Sequence, residues 1–301
     1  MTSPANVVLV FLDPAFPDGR LADASQPQLL VTDQGATRGD GIFETMLAVG
    51  GTVRKIQAHL DRLAGSAEAL DLVIPGGEEW RRAIGMALSE HRAQHPPAST
   101  ADDELVVKLV VTRGVEGASA PTSWVQVSPA GAALRRQRET GIDVILLDRG
   151  YDSDVAERAP WLLLGAKTLS YAVNMAAIRY AKAHGADDVI FTSSDGKVLE
   201  GPTSTVLLAH DRDGRKTLLT PQLESGILAG TSQSALFTAA KEQGWELGYG
   251  PLEPHHLLDA DAVWLIPSIR LLAPVLSIDG QALRSSPALT AELTDLVDRF
   301  V

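Results

Sequence analysis

The 301-residue chain contains no cysteine, which excludes disulfide bonds and thiol chemistry. It also lacks a long basic run, and its formal net charge of −12 argues against a broad nucleic-acid-binding surface. Near its start only a short apolar stretch occurs, Val7–Leu12, which predicts a strand rather than a signal peptide or a membrane span. We find no internal repeat and no low-complexity tract. These absences favour a cytoplasmic enzyme or ligand-binding protein with neither a membrane nor a nucleic-acid partner.

The apolar content of 45% supports a proper core, and the length allows two domains. The patterns predict an N-terminal domain over 1–128, a linker over 129–140 and a C-terminal domain over 141–301. Strands are predicted at Val7–Leu12, Leu29–Thr32, Ile42–Ala48, Thr52–Ile56, Leu105–Val111, Trp124–Val127, Ile142–Leu147, Asp188–Thr192, Lys197–Glu200, Thr205–Ala209, Thr217–Thr220 and Val263–Ile266. Helices are predicted from about Gln57 to Leu70 and over Glu78–Gln94, Leu169–His184, Thr231–Gln243 and Pro287–Phe300. The fold class is therefore α/β (α+β) with mostly antiparallel sheets, and the spacing does not suit a Rossmann unit.

Lys167 and Glu200 are the first candidate functional pair. Lys167 lies where a run of large apolar residues changes to a helical pattern. It is either a snorkelling lysine or a Schiff-base lysine whose amine is tuned by burial and by a helix N-terminus. Glu200 follows a turn and precedes a run of small residues. It is either a solvated surface group or the carboxylate that keeps a pyridoxal ring nitrogen protonated.

Three further stretches carry features of an anion site. The glycine-rich opening of the helix at Thr231 and Ser232 is a common helix start, and it also suits a phosphate. Arg62, on the first amphipathic helix, is either a solvated cation or a bidentate phosphate clamp. Arg270, inside an apolar stretch, suggests an anion or a buried partner. No metal site is predicted.

Together these stretches resemble the fold-type IV pyridoxal-phosphate enzymes over nearly the whole chain. This family includes branched-chain and D-amino-acid transaminases and 4-amino-4-deoxychorismate lyase. Five segments match in the family's order: DQGATRGDGIFET at 33–45, HLDRLAGSAEAL at 59–70, KTLSYAVNMAA at 167–177, VLEGPTSTV at 198–206 and GILAGTSQ at 226–233. Each match is weak alone, whereas five in order are specific.

The resemblance implies a smaller N-terminal α/β sandwich, a larger C-terminal barrel-like domain, pyridoxal 5′-phosphate in the cleft between them and a homodimer. By the same resemblance Lys167 binds the cofactor and shuttles the proton, while Glu200 pairs with the ring nitrogen. Phosphate contacts are implied for a further set of residues: Arg62, Thr231, Ser232, Ser268 and Ile269.

This sequence departs from the family pattern at several positions. Thr205, Gln233 and Ser170 replace an asparagine, an arginine and an asparagine that are common there. Tyr171 is the candidate hydrogen-bond donor to the cofactor's phenolic oxygen, although its offset from the lysine differs from that in the branched-chain enzymes. Phe43 is a candidate for lining the substrate pocket. The candidate binders of a substrate carboxylate are Lys108, Arg113 and Arg270.

The strand around Lys108 and the segment 33–44 resemble the lyase more than the branched-chain transaminases. The loop after Arg113 lacks the Arg-x-His pair of the D-amino-acid transaminases. We therefore expect a lyase that acts on an amino substrate with a carboxylate and releases pyruvate and 4-aminobenzoate for folate synthesis. An amino-acid transaminase of the branched-chain or D-amino-acid type is the alternative, and a non-catalytic ligand-binding protein is the second alternative.

Overall fold

The structure, a computed structural model, describes residues 6–13, 15–99 and 103–300. It contains two compact units. The first comprises the chain up to residue 131 together with 166–171, and the second comprises 132–165 and 172–300. The division between residues 131 and 132 falls within the segment predicted as a linker. Residues 1 and 301, at which the predicted domains begin and end, lie outside the described residues.

The first unit is an antiparallel sheet covered by helices. Its strands are β1 (Val8–Asp13), β2 (Phe16–Ala22), β3 (Gly41–Val49), β4 (Thr52–Val53), β5 (Glu104–Thr112) and β6 (Thr122–Pro129), and its helices are α1 (Gln34–Arg38), α2 (Ile56–Ala69) and α3 (Gly77–Gln94). The strand order is β2-β1-β6-β5-β3-β4. Helix α2 packs on β3, and α3 packs on β1, β2 and β6. Trp80, Ile84 and Leu88 lie on the buried face of α3, because they recur at helical spacing.

The second unit contains a mixed, curled sheet with helices around it. Its strands are β7 (Ile142–Asp148), β8 (Asp188–Thr192), β9 (Thr205–Arg212), β10 (Arg215–Pro221), β11 (Glu246–Gly250), β12 (Ala262–Ile266), β13 (Ala273–Ile278) and β14 (Gln281–Ala282). Its α-helices are α4 (Ala132–Thr140), α5 (Val155–Arg158), α6 (Ala172–Ala183), α7 (Thr231–Glu242), α8 (Pro254–Asp259) and α9 (Pro287–Asp298), and 3₁₀ turns cover Pro160–Leu162 and Leu223–Ser225. The strand order is β11-β10-β9-β12-β13-β7-β8, with β14 on β13.

Strand β8 shows how the second unit builds two cores. Ile190 belongs to an apolar cluster with residues of β7, β9, β12 and β13. Val189 and Phe191 instead join Ala177 and Ala181 of α6 in a second cluster. Successive side chains of a strand point to opposite faces, so a continuous apolar strand is buried on both sides. The expected mixed α/β fold class is confirmed.

Several predicted elements differ in detail. Leu29–Thr32 forms no strand, and Leu30 and Val31 are 65% and 86% exposed. Within the described ranges no strand pairs with this apolar run, so its composition alone predicted the wrong structure. Lys197–Glu200 contains only an isolated bridge from Val198 to Thr192. Strand β2 was not predicted.

The second sheet also contains more parallel pairing than expected. The pairs β10–β11, β7–β13 and β7–β8 are parallel. Residues 132–140, within the predicted linker, form helix α4, which packs on β13. Arg138 of α4 donates hydrogen bonds to the carbonyl oxygens of Ile269 and Arg270, both at 2.7 Å. Over the described ranges, no helix is long and apolar enough to cross a bilayer.

Candidate active site

Lys167 is anchored through its backbone in the first unit. Its amide donates to Ser66 Oγ at 3.1 Å, and its carbonyl accepts from the amide of Phe43 at 3.0 Å. The next residue, Thr168, bridges to Ile42 of β3. Helix α6 begins only at Ala172. Lys167 therefore lies on an extended segment docked to β3, and the expectation that a helix N-terminus tunes its amine is wrong.

Two aromatic rings lie near the Lys167 side chain, and a second lysine shares one of them. Its Nζ lies 4.6 Å from the centre of the Phe43 ring and 5.9 Å from that of Tyr171. The two rings meet edge to face, with centres 5.3 Å apart. Lys108 Nζ lies 5.0 Å from the centre of the same Phe43 ring, and burial lowers the pKa of Lys108. Three of the predicted residues thus lie around the ring of a fourth, Phe43, in a surface that suits a reactive amine and an anionic substrate group.

Arg62 is held by a buried carboxylate. Its Nε and Nη2 donate to the two oxygens of Glu44 at 2.6 and 2.9 Å. His59 Nδ1 lies 2.7 Å from Glu44 Oε2. Burial alone would raise the pKa of Glu44, but the hydrogen bonds from His59 and Arg62 outweigh it and lower the pKa to about 2. Glu44 is therefore an ionised acceptor at neutral pH.

The other two candidate carboxylate binders already have anionic partners. Arg113 donates to Asp40 at 2.6 Å and to the carbonyl oxygen of Leu70 at 2.7 Å. Arg270 is buried and donates to Asp188 at 2.7 Å. Both guanidinium groups join distant parts of their own unit, so their charges are compensated within the fold.

In the second unit Glu200 lines a small, partly open pocket. Its Oε2 accepts a hydrogen bond from the amide of Leu228 at 3.2 Å. The other residues that line this pocket are Arg149, Tyr151, Asn174, Phe191, Leu199 and Ile227. Arg149 packs over the Phe191 ring at 4.4 Å and donates to Asn174 Oδ1 at 3.0 Å. The pocket combines an aromatic wall, a carboxylate and a guanidinium, which are groups that bind a polar ring.

The start of helix α7 presents hydroxyl groups at its N-terminus. Thr231 Oγ1 lies 3.4 Å from Ser268 Oγ. Among the described residues, Ser232 Oγ is buried and finds no hydrogen-bond partner. At the N-cap, a Cβ on Gly230 would lie 2.4 Å from Thr205 Oγ1. A glycine N-cap, the first turn of a helix and an unsatisfied buried hydroxyl together form a cradle for an anion such as phosphate.

Sequence reasoning missed Glu44, His59, Arg149, Tyr151 and Asn174. Glu44 and His59 lie in segments that the sequence analysis used for other residues. Glu44 meets His59 and Arg62 only when β3 and α2 pack together. Arg149 and Tyr151 follow the end of β7, a position where polar side chains would have been a signal. The notable feature of Arg149 is that its guanidinium lies over the Phe191 ring and donates to Asn174.

The family model described as amino-transferase class IV matches residues 41–278. The chain belongs to this family. It is therefore an enzyme with pyridoxal phosphate as its cofactor, as the sequence predicted. The residues of the second unit fit pyridoxal phosphate. The unsatisfied Ser232 hydroxyl suits its phosphate, and the pocket lined by Glu200 suits its ring.

Known class IV proteins are similar over nearly the full length. A bifunctional aminodeoxychorismate lyase / D-amino acid transaminase of Mycobacterium tuberculosis is 45% identical over 283 residues, which cover 92% of this chain and 96% of that protein. The fold IV transaminase of Curtobacterium pusillum has a TM-score of 0.89 at 43% identity, covering 98% of each chain. The PLP-bound form of a hypothetical aminotransferase from Mycobacterium tuberculosis has a TM-score of 0.89 at 41% identity, covering 97% of each chain.

Proposed function

We propose that this enzyme is a 4-amino-4-deoxychorismate lyase that releases pyruvate and 4-aminobenzoate for folate synthesis. The observation that carries the proposal is the 45% identity, over almost the whole chain, to a protein named for this lyase activity. The same relative is also named a D-amino acid transaminase, and a fold IV transaminase is similar at 43% identity. Transamination of D-amino acids at the same site is therefore our second candidate function.

The residues of the first unit are assigned to binding and proton transfer. Lys167 holds the cofactor and then moves a proton to and from the substrate carbon, which is the work of a general acid–base group. Phe43 and Tyr171 surround its amine and exclude water. Tyr171 remains our candidate donor to the cofactor's phenolic oxygen. Arg62 is assigned to the phosphate.

Lys108 is our preferred partner for the substrate carboxylate. It shares the Phe43 ring with Lys167, and its ammonium is partly withdrawn from water, so an anion placed there gains an unusually favourable interaction. Arg113 and Arg270 are paired with Asp40 and Asp188, so we assign them to the stability of the fold.

The residues of the second unit are assigned to the ring and the phosphate of the cofactor. Glu200 keeps the ring nitrogen protonated, while Thr231, Ser232, Ser268 and the backbone at Ile269 hold the phosphate. When bound, the cofactor supplies an electron sink that stabilises negative charge on the substrate carbon. Whether the substrate then loses pyruvate or transfers its amino group depends on how the chain orients the substrate beside Lys167 and Lys108.

A paired assay tests this proposal. The purified holoenzyme is given aminodeoxychorismate alone, and separately a panel of L- and D-amino acids with 2-oxoglutarate or pyruvate. Release of 4-aminobenzoate without any keto acid is the expected result. Amino-group transfer without 4-aminobenzoate release would overturn the lyase proposal and leave the transaminase.

A homodimer and a cytoplasmic location are parts of the same proposal. Large apolar side chains are exposed on the second unit, including Trp161, Val173 and Tyr180 at 74%, 60% and 50%. Exposed apolar groups of this size favour burial against another protein surface. Light scattering of the purified chain is expected to give twice the 32.0 kDa mass of one copy, and the monomer mass would contradict it.

A further inference from the structure

The guanidinium of Arg62 is oriented by one buried carboxylate. Glu44, on β3, is fully buried and accepts from both Nε and Nη2 of Arg62, which lies on α2 and is 13% exposed. A bidentate pair of this kind fixes the plane of the guanidinium as well as its position. The side of Arg62 that carries Nη1 is thereby directed away from the Glu44 carboxylate.

His59 completes the support of this carboxylate. Its side chain is fully buried, and it lies one turn before Arg62 on the same helix. Burial lowers the pKa of His59 despite the opposing influence of Glu44, so the ring is neutral and its Nδ1–H donates to Glu44. The amide of Thr45 also donates to Oε2, at 3.2 Å. Glu44 therefore has donors on both oxygens and cannot rotate without losing them.

Two further cations, Arg54 and Lys55, lie just before helix α2. Burial, together with the charges of Arg54 and Arg62, lowers the pKa of Lys55 to about 8. Cations close to an oriented guanidinium favour the binding of a phosphate dianion.

We propose that Glu44, supported by His59, is the positioning residue that orients Arg62 toward the 5′-phosphate and so determines the preference for phosphorylated over unphosphorylated cofactor. The inference rests on the assignment of Arg62 to the phosphate in the proposed function. Glu44 itself touches neither cofactor nor substrate in this proposal. Its effect is therefore expected in phosphate recognition and not in proton transfer.

The test compares two ligands that differ only in the phosphate. The full-length chain, freed of cofactor by dialysis against hydroxylamine, is titrated with pyridoxal phosphate and with pyridoxal, and binding is followed by visible absorbance. In Glu44→Gln the affinity for pyridoxal phosphate is expected to fall about tenfold, as for the loss of one charge-assisted hydrogen bond, with pyridoxal binding unchanged. Arg62→Met is expected to lower the same ratio at least as much.

Asp103→Asn is a matched control in the same unit. Asp103 is also a buried carboxylate that pairs with an arginine, Arg92, at 2.9 Å. This variant is expected to lower the Tm and to leave the ratio of the two affinities unchanged. A fall in the ratio in this control would show that general destabilisation explains the effect, and would overturn the proposal.

The other outcomes separate the positioning role from the phosphate assignment. If Arg62→Met lowers the ratio and Glu44→Gln does not, the positioning role is wrong while the phosphate assignment stands. If Arg62→Met leaves the ratio unchanged, the phosphate assignment itself is wrong. If Glu44→Gln does not fold, Glu44→Asp retains the charge at a shorter reach. It is expected to lower the ratio by a smaller factor, and an unchanged ratio there overturns the proposal.

Discussion

Lys167 Nζ lies 4.6 Å from the centre of the Phe43 ring. The ring belongs to β3, and the backbone of Phe43 also donates to the Lys167 carbonyl. One residue therefore positions both the main chain and the amine of the proposed catalytic lysine. Because this hydrogen bond uses only backbone groups, a substitution of the Lys167 side chain tests the chemical role of the amine separately from the docking of the segment.

Lys167→Ala is expected to abolish turnover, by at least about 10²-fold, because the general acid–base group is lost. The visible absorbance of bound cofactor, which borohydride removes in the wild type, should also disappear. Lys182→Ala, an exposed lysine on α6, serves as the control and should keep both properties. Retained activity in Lys167→Ala would rule out this lysine as the catalyst.

Lys108→Met is expected to raise KM for the substrate by about tenfold, with a smaller change in kcat, because an ammonium that binds the substrate carboxylate is removed. Steady-state kinetics with aminodeoxychorismate, and with D-alanine as amino donor, measure this split. Arg113→Met is the comparison, since Arg113 is paired with Asp40: it should lower the Tm and spare KM. The carboxylate assignment fails if KM is unchanged in the Lys108 variant.

Ser232→Ala is expected to have opposite effects on the protein with and without cofactor. Among the residues that the structure describes, the buried Ser232 hydroxyl has no hydrogen-bond partner. Its removal should therefore leave the Tm of the cofactor-free protein unchanged or slightly higher. Affinity for pyridoxal phosphate should fall about tenfold because a phosphate donor is lost. Thermal melts and absorbance titrations give the two readings. A lower Tm without a change in affinity would show that the hydroxyl serves the fold alone.

Glu44 is expected to make stability depend on pH in acid. Its pKa is lowered to about 2 in the folded protein, below an unfolded value of roughly 4.3. Its contribution, on the order of 3 kcal/mol, is therefore fully present above pH ~4.3 and is lost as the pH falls toward 2. The gap in urea midpoint between wild type and Glu44→Gln should narrow from pH 7 to pH 3.5. A gap that stays constant over this range would contradict the assignment.

Local patterns predicted most of the regular structure. The apolar spacing identified α2, α3 and α7. Such spacing depends on neighbours a few residues apart, so a single sequence contains it. The same holds for the β3–β4 hairpin, where Gly50 and Gly51 both have positive φ, and for Ser286, which caps α9 through the amide of Leu289.

Elements that depend on distant partners were predicted less well. The apolar residues 29–32 suit a strand, yet no neighbouring strand pairs with them. The parallel pairing of β7 with β8 and β13 joins segments far apart in the chain. Strand direction is set by the long connections between such segments, and their composition does not reveal it.

The sequence by itself determined the family and the cofactor, and it predicted the reactive lysine, because all three follow from residue types at short, fixed spacings around Lys167, Glu200 and Thr231. Only the tertiary structure separated the candidate cations. Arg113 and Arg270 meet Asp40 and Asp188 across 73 and 82 residues of chain, whereas Lys108 meets the Phe43 ring. The partners that the fold gives a cation set which of its donors can face a ligand, and those partners are decided by packing between distant segments.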